Sequence, residues 1–270
     1  MESIINDISS KVVSQYNEAN GDYYGEDKML YCGICQTRKT TEIEVFGEKK
    51  VVNCICRHES EERAAREAAR VQGIEIGRNL KAGFPQADYA DLTFAFDDRK
   101  NPEASRVARN YADNFNPKSG MGLLFCGERG AGKTFLSACI ANALIYRGYS
   151  VLMTNVTKIA QAVDATFENK TAELNRILSV DLLILDDLGT ERSTEYMLEH
   201  AFNVVDGRYK ANKPMVISSN ITLREMMDET DLGRGRIYDR IIERCFPVEM
   251  NGNRRRDMAI AVKMQGTLGI

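Results

Sequence analysis

The residues with the clearest chemical purpose lie in the stretch GERGAGKT, positions 127 to 134. They fit the pattern G-x-x-x-x-G-K-[ST], written here as Gly127, Glu128, Arg129, Gly130, Ala131, Gly132, Lys133 and Thr134. An apolar run, LLFC, precedes them and a helix-forming run follows. Glycines let successive backbone N–H groups turn inward around phosphates, where no side chain would fit. The N-terminus of the following helix adds its partial positive charge. Lys133 would reach the β and γ phosphates, and the Thr134 hydroxyl would ligate Mg²⁺. The pattern predicts a nucleoside triphosphate site.

Two further stretches supply the groups such a site needs. VDLLILDDLG places Asp186 and Asp187 at the C-terminal end of an apolar strand, where open α/β sheets hold their ligands. Asp186 would hold Mg²⁺, directly or through water, and Asp187 could orient and deprotonate an attacking water. PMVISSN ends in Asn220, an amide placed to contact a γ-phosphate or the water. GRGRIYDRIIERC then sets Arg236, Arg240 and Arg244 at four-residue spacing, on one face of a helix. From Arg234 to Arg256 there are seven arginines against Asp239, Glu243 and Glu249, inside a chain of net charge −3. Guanidinium forks pair with phosphate oxygens, so this local excess suits transition-state charge better than a solvated face.

A separate set of residues suits a metal. Cys32-x₂-Cys35 is followed, after eighteen residues, by Cys54-x-Cys56. Two close cysteine pairs on separate turns predict a tetrahedral thiolate cage for a structural Zn²⁺. His58 could replace Cys54 or Cys56. Between the pairs, TTEIEVFGEKKVVN reads as a hairpin turning at Gly47. Cys126, Cys139, Cys245 and His200 read as ordinary interior residues.

The elements that must position these groups follow from patterning. GLLFCG, SVLMTN, VDLLILDD and PMVISSN are short apolar strands, each followed by a longer amphipathic run. Strands this apolar are covered on both faces, which predicts a parallel sheet between helices. ESEERAAREAARVQGIEIGRNL, rich in good helix formers and interspersed charge, reads as an exposed connecting helix. Ile5, Ile8, Val12, Val13 and Tyr16 recur at helical spacing near the N-terminus. The expected domains are a four-cysteine zinc module over 1–58, a helical linker over 59–84 and an ATPase domain over 85–270. With 270 residues and 43% hydrophobic content the chain can build one large core and a smaller unit. An acidic net charge excludes a basic surface over the whole molecule. The polar N-terminus does not read as a signal peptide, and no apolar run reaches membrane-spanning length. A cytoplasmic protein with reduced cysteines is expected.

The order of phosphate loop, LLILDDLG, ISSN, RIYDRIIER and a late arginine cluster resembles AAA+ ATPases of the DnaC/DnaI helicase-loader group, within the IstB-like superfamily. The resemblance covers about residues 85–260. It implies a five-stranded AAA+ core with Gly127–Thr134 as Walker A, Asp186–Asp187 as Walker B and Asn220 as sensor 1. Arg240 would be an arginine finger offered to a neighbouring subunit, and Arg256 sensor 2. Many AAA+ proteins end Walker B in Asp-Glu, whereas Asp187 is one methylene shorter, and GNRRR blurs which arginine is the sensor. The resemblance also implies ATP and Mg²⁺, an ATP-dependent homo-oligomer, single-stranded DNA, and a hexameric DnaB-type replicative helicase on which the N-terminal module docks. In loaders the insertion corresponding to NVTKIAQAVDATFENKTAELNRIL faces DNA, with Lys158 and Lys170 as its cations here. An IstB-like transposition helper, which binds duplex DNA beside a transposase, is the alternative; its N-terminal extension normally lacks a four-cysteine module. A metal-dependent DNA-binding regulator with a vestigial ATPase is a third reading, opposed by intact Lys133, Thr134, Asp186 and Arg240.

Overall fold

The structure, a computed structural model, describes residues 17–85, 89–165, 170–189 and 194–251. The expected N-terminal helix over Ile5–Tyr16 and the arginines 254–256 lie outside the described residues. The chain divides into two units, residues 1–74 and 75–270.

In the first unit, β1 (Tyr23–Tyr24) pairs with β2 (Leu30–Tyr31), and β3 (Thr40–Val45) pairs with β4 (Glu48–Asn53), both antiparallel. The expected hairpin forms, with Phe46 and Gly47 in the left-handed region at its turn (φ 55° and 81°). Few apolar side chains are buried here: Met29, Leu30, Cys32 and Cys56. A buried ion cluster accompanies them. Lys39, 2% exposed, reaches Asp22 at 2.7 Å and Glu59 at 2.9 Å. Burial disfavours its ammonium, but the bonds to Asp22 and Glu59 outweigh this and hold it above the ordinary lysine range.

Helix α1 (Arg57–Gly83) begins within the cysteine region, and the line between the units falls inside it. Its surface is polar almost all round and carries spaced pairs such as Glu67–Arg70 at 2.6 Å, as expected of a solvated helix.

The second unit is a five-stranded sheet in the order β6 (Val151–Thr154), β7 (Leu182–Leu188), β8 (Met215–Ser219), β5 (Gly122–Gly127), β9 (Cys245–Met250). All four pairings are parallel. Side-chain direction alternates along a strand, so Leu123, Phe125 and Ile184 enter one apolar cluster while Leu124, Cys126, Leu183 and Leu185 enter another. The first cluster is completed by α2 (Pro102–Asp113) and by α3 (Lys133–Tyr146), through Ala104, Ala108, Ile140 and Leu144. The second receives α4 (Val156–Ala165), α5 (Lys170–Ser179), α6 (Glu195–Lys210), the short α7 (Leu223–Met227) and α8 (Leu232–Arg244). The expected doubly covered parallel sheet is thus present. Strand β9 escaped the sequence patterning because Pro247 interrupts it and only Cys245, Val248 and Met250 are buried. It sits at the sheet edge, where proline is tolerated.

Arg208 is fully buried, and among the described residues its partners are backbone carbonyls. Its guanidinium donates to the carbonyls of Leu178, Val180, Asp181 and Pro214, tying the chain after α5 to the chain before β8. Burial lowers its pKa to about 10. Cys126, Cys139 and Cys245 are buried as expected, and burial pushes the Cys139 and Cys245 thiols up to about 12.

Candidate functional site

The phosphate loop joins β5 to α3 at the C-terminal edge of the sheet. Gly127 has φ 122°, and a Cβ there would stand 2.5 Å from the Met250 carbonyl oxygen, so no other residue fits. Asn101 Nδ2 fastens the loop by donating to the Ala131 carbonyl at 2.9 Å. Glu128 and Arg129 are exposed at its lip.

Lys133, at the first position of α3, is buried. Its Nζ donates to the carbonyls of Gly127 (2.9 Å) and Glu128 (2.7 Å) and to Asn220 Oδ1 (2.9 Å). Burial pulls its pKa below the ordinary lysine value, with Asp187 and Asp186 opposing the shift. Thr134 Oγ1 donates to Asp186 Oδ1 at 3.0 Å. Asp186 is raised above the usual carboxylate value by burial, against hydrogen bonds from Ser218 and Thr134. At Asp187 the β7–β8 register breaks, between Leu185 and Leu188, and Asp187 takes φ 57°. Asn220 Nδ2 lies 3.4 Å from Asp187 Oδ1. Five residues separated by up to 87 positions thus converge: Lys133, Thr134, Asp186, Asp187 and Asn220. Glycines that leave inward space, a lysine, and a hydroxyl beside a carboxylate form a donor set fitted to phosphates and a hard divalent cation.

Ser218 was missed in the sequence, although ISSN places two hydroxyls at the end of an apolar strand. It contacts both aspartates: its Oγ accepts from the Asp187 N–H at 2.9 Å and donates to Asp186 Oδ1.

The arginines divide. Arg240 lies against its own chain's α6, with Nε 2.7 Å from Asp206 Oδ1 and its guanidinium over the rings of Phe202 and Tyr209. Arg244 stacks on Tyr209 and donates to Asn212 Oδ1 at 2.9 Å. Arg236 is exposed. Lys170 pairs with Asp164 at 3.0 Å, and Lys158 is half-buried. His200 packs edge-on against Tyr196, in keeping with a structural role.

In the first unit the sulfurs of Cys32, Cys35 and Cys56 lie within 4.8 Å of one another. The expected fourth member, Cys54, stands apart: its Sγ donates to the Arg38 carbonyl at 3.3 Å. His58 adjoins the cluster. Its backbone N–H donates to Cys35 Sγ at 3.4 Å, and its Nδ1 is buried without a hydrogen-bond partner. The Thr37 hydroxyl and this N–H bring the Cys35 thiol down to about 6, although burial opposes them. A thiol so lowered is already a thiolate near neutral pH, the form that binds metals.

The sequence pattern of the IstB-like ATP binding proteins matches residues 29–260. The chain belongs to this family. Among curated IstB-like relatives, the replicative helicase loader DnaC of Escherichia coli K12 is 35% identical over 138 residues, 50% of this chain and 55% of that protein. The replicative helicase loader DnaI of Bacillus subtilis 168 is 26% identical over 193 residues, 66% of this chain and 62% of the relative. The chain therefore matches little more than half the length of these relatives. A crystal structure of DnaI superposes with TM-score 0.53 at 27% identity, over 62% of this chain and 92% of that one. A crystal structure of the DnaC helicase loader superposes with TM-score 0.55 at 24% identity, over 60% and 98%. DnaA from Aquifex aeolicus, solved with AMPPCP, gives TM-score 0.50 at 23% identity over 65% and 55%. The sheet of this IstB-like chain is thus an AAA+ P-loop core. Among its described residues, no helix is long and apolar enough to cross a membrane.

Proposed function

We propose that this protein is an ATP-dependent loader that delivers a hexameric DnaB-type replicative helicase to single-stranded DNA. The observation that carries the ATPase half is the meeting of Lys133, Thr134, Asp186, Asp187 and Asn220 at one loop. In this reading Lys133 exchanges its two carbonyl bonds for the β and γ phosphates of ATP. Thr134 and Asp186 hold Mg²⁺, which when bound draws charge off the phosphates. Asn220 keeps Asp187 facing the attacking water, and Asp187 takes its proton as the new P–O bond forms and ADP leaves. Gly127 to Gly132 supply backbone donors.

Arg240 was the expected finger toward a neighbouring subunit. Its bond to Asp206 favours assigning that contact to Arg236, one helical turn away and exposed, with Arg240 as the residue that anchors α8. Mixing Lys133→Ala with Arg236→Ala should rebuild whole sites at subunit boundaries and exceed the summed ATPase of the two variants. A mixture that restores nothing, from a wild type that oligomerises, rejects the assignment. Arg256 retains the sensor 2 role only by resemblance.

The loader half is supported by the names of the relatives, replicative helicase loaders in each case cited. The cysteine cluster favours it over a transposition helper. We assign a structural Zn²⁺ to Cys32, Cys35 and Cys56, with His58 turning its buried Nδ1 inward as fourth ligand when the metal binds and Glu62 facing Nε2 at 3.8 Å, a carboxylate–histidine pairing common around zinc. Co-purification of the full chain with a DnaB-type hexamer, with and without ATP, tests the function. Binding to a transposase instead would reject it.

A further inference from the structure

Ser218 is the penultimate residue of β8 and has no solvent exposure. Its single hydroxyl bonds two consecutive residues of the neighbouring strand: the Asp187 N–H, at 2.9 Å, and the Asp186 carboxylate. Both bonds fall where the β7–β8 ladder loses register. In an unbroken parallel pair a strand amide finds a backbone carbonyl across the ladder; here a side-chain oxygen takes the Asp187 amide. That matters because Asp187 is left-handed, at φ 57°. Such a backbone is unfavourable for a residue with a Cβ and persists only where its surroundings hold it. The second bond acts on Asp186. Ser218 and Thr134 both donate to the same oxygen, Oδ1, which fixes the carboxylate's rotation.

We propose that Ser218 is a positioning residue for ATP hydrolysis, one hydroxyl aiming Asp186 toward the cation and Asp187 toward the water. This rests on the ATPase reading above. A hydroxyl that only filled space would be replaceable by a smaller apolar group at little cost. One that sets two carboxylates is not, because the bulge loses its pin and Asp186 its orientation.

The experiment compares full-length wild type, Ser218→Ala and Ser218→Thr, which keeps the hydroxyl. The measurements are steady-state ATPase, Mn²⁺ affinity by electron paramagnetic resonance with a non-hydrolysable ATP analogue, and thermal melting as the folding control. For Ser218→Ala we expect KM for ATP within a few-fold of wild type. Its kcat and Mn²⁺ affinity should each fall about ten- to a hundredfold, the range for groups that orient metal ligands. Ser218→Thr should recover most of each loss. The proposal is overturned if Ser218→Ala keeps wild-type kcat and Mn²⁺ affinity. It is equally overturned if both variants lose activity together while Mn²⁺ affinity stays put. A wild type that hydrolyses no ATP would instead bring down the ATPase reading, and the role of Ser218 with it.

Discussion

The two units solve the problem of stability in opposite ways. The AAA+ unit buries an apolar layer on each face of its sheet, with Lys133 and Ser218 buried at the edge where its site lies. The cysteine unit buries four apolar side chains among its described residues and leans on Lys39, Asp22, Glu59 and three thiols. A large sheet can place its chemistry at an edge and remain stable through its core. A small unit has too little apolar area for that, so the residues that give it chemistry also give it a fold.

Metal removal tests this contrast most strongly. Structural zinc in small modules contributes roughly 10 kcal/mol or more of folding free energy. A strong chelator should therefore unfold the cysteine unit, seen as lost amide protection over residues 17–56, while protection in β5, β7 and β8 is unchanged. Metal analysis should find one Zn²⁺ per chain. Cys54→Ser should keep it, and His58→Ala should weaken it.

Paired substitutions of the two buried cations sharpen the comparison. Lys39→Met strands the buried Asp22 carboxylate, a loss of about 3–5 kcal/mol for a broken buried pair, and should melt the small unit alone. Arg208→Met leaves four carbonyls without their donor, a loss of roughly 3 kcal/mol or more. It should lower the main melting transition by roughly 10 °C, given about 2–4 °C per kcal/mol for a unit of this size. Calorimetry that shows both variants shifting the same transition would mean that the units unfold as one.

The smallest expected effect concerns Asp206, which accepts from Lys210 at 2.7 Å and from Arg240 at 2.7 Å. The Lys210 bond, with that of Arg240, holds its carboxyl below the ordinary value of 3.8 against the opposing pull of burial. A lowered pKa gives stability that is present above the unfolded value and lost as pH falls through the folded one. Asp206→Asn should cost about 1 kcal/mol at neutral pH, the scale of a partly exposed pair. The cost should vanish at a pH below the lowered pKa, which urea melts at two pH values would show.

What the sequence determined by itself was chemistry carried by neighbours along the chain. GERGAGKT specifies its own loop, because the turn, the glycines and the helix start are all local. The four apolar strands were legible for the same reason, since an uninterrupted apolar run reports burial on both faces. Tertiary structure decided whatever depends on chains meeting. Strand order brings Asn220 to Lys133 and Ser218 to the aspartates. Pro247 conceals an edge strand whose partner is β5, far back along the chain, with Leu124 opposite Pro247 itself. Spacing paired Cys54 with Cys56, and the fold adds the Arg38 carbonyl as a partner of the Cys54 sulfur. Spacing put Arg240 on a helix face, and the fold sets Asp206 of α6 opposite it. A one-dimensional pattern fixes which face of an element a side chain occupies, but the group waiting opposite that face belongs to another element, and only packing brings the two together.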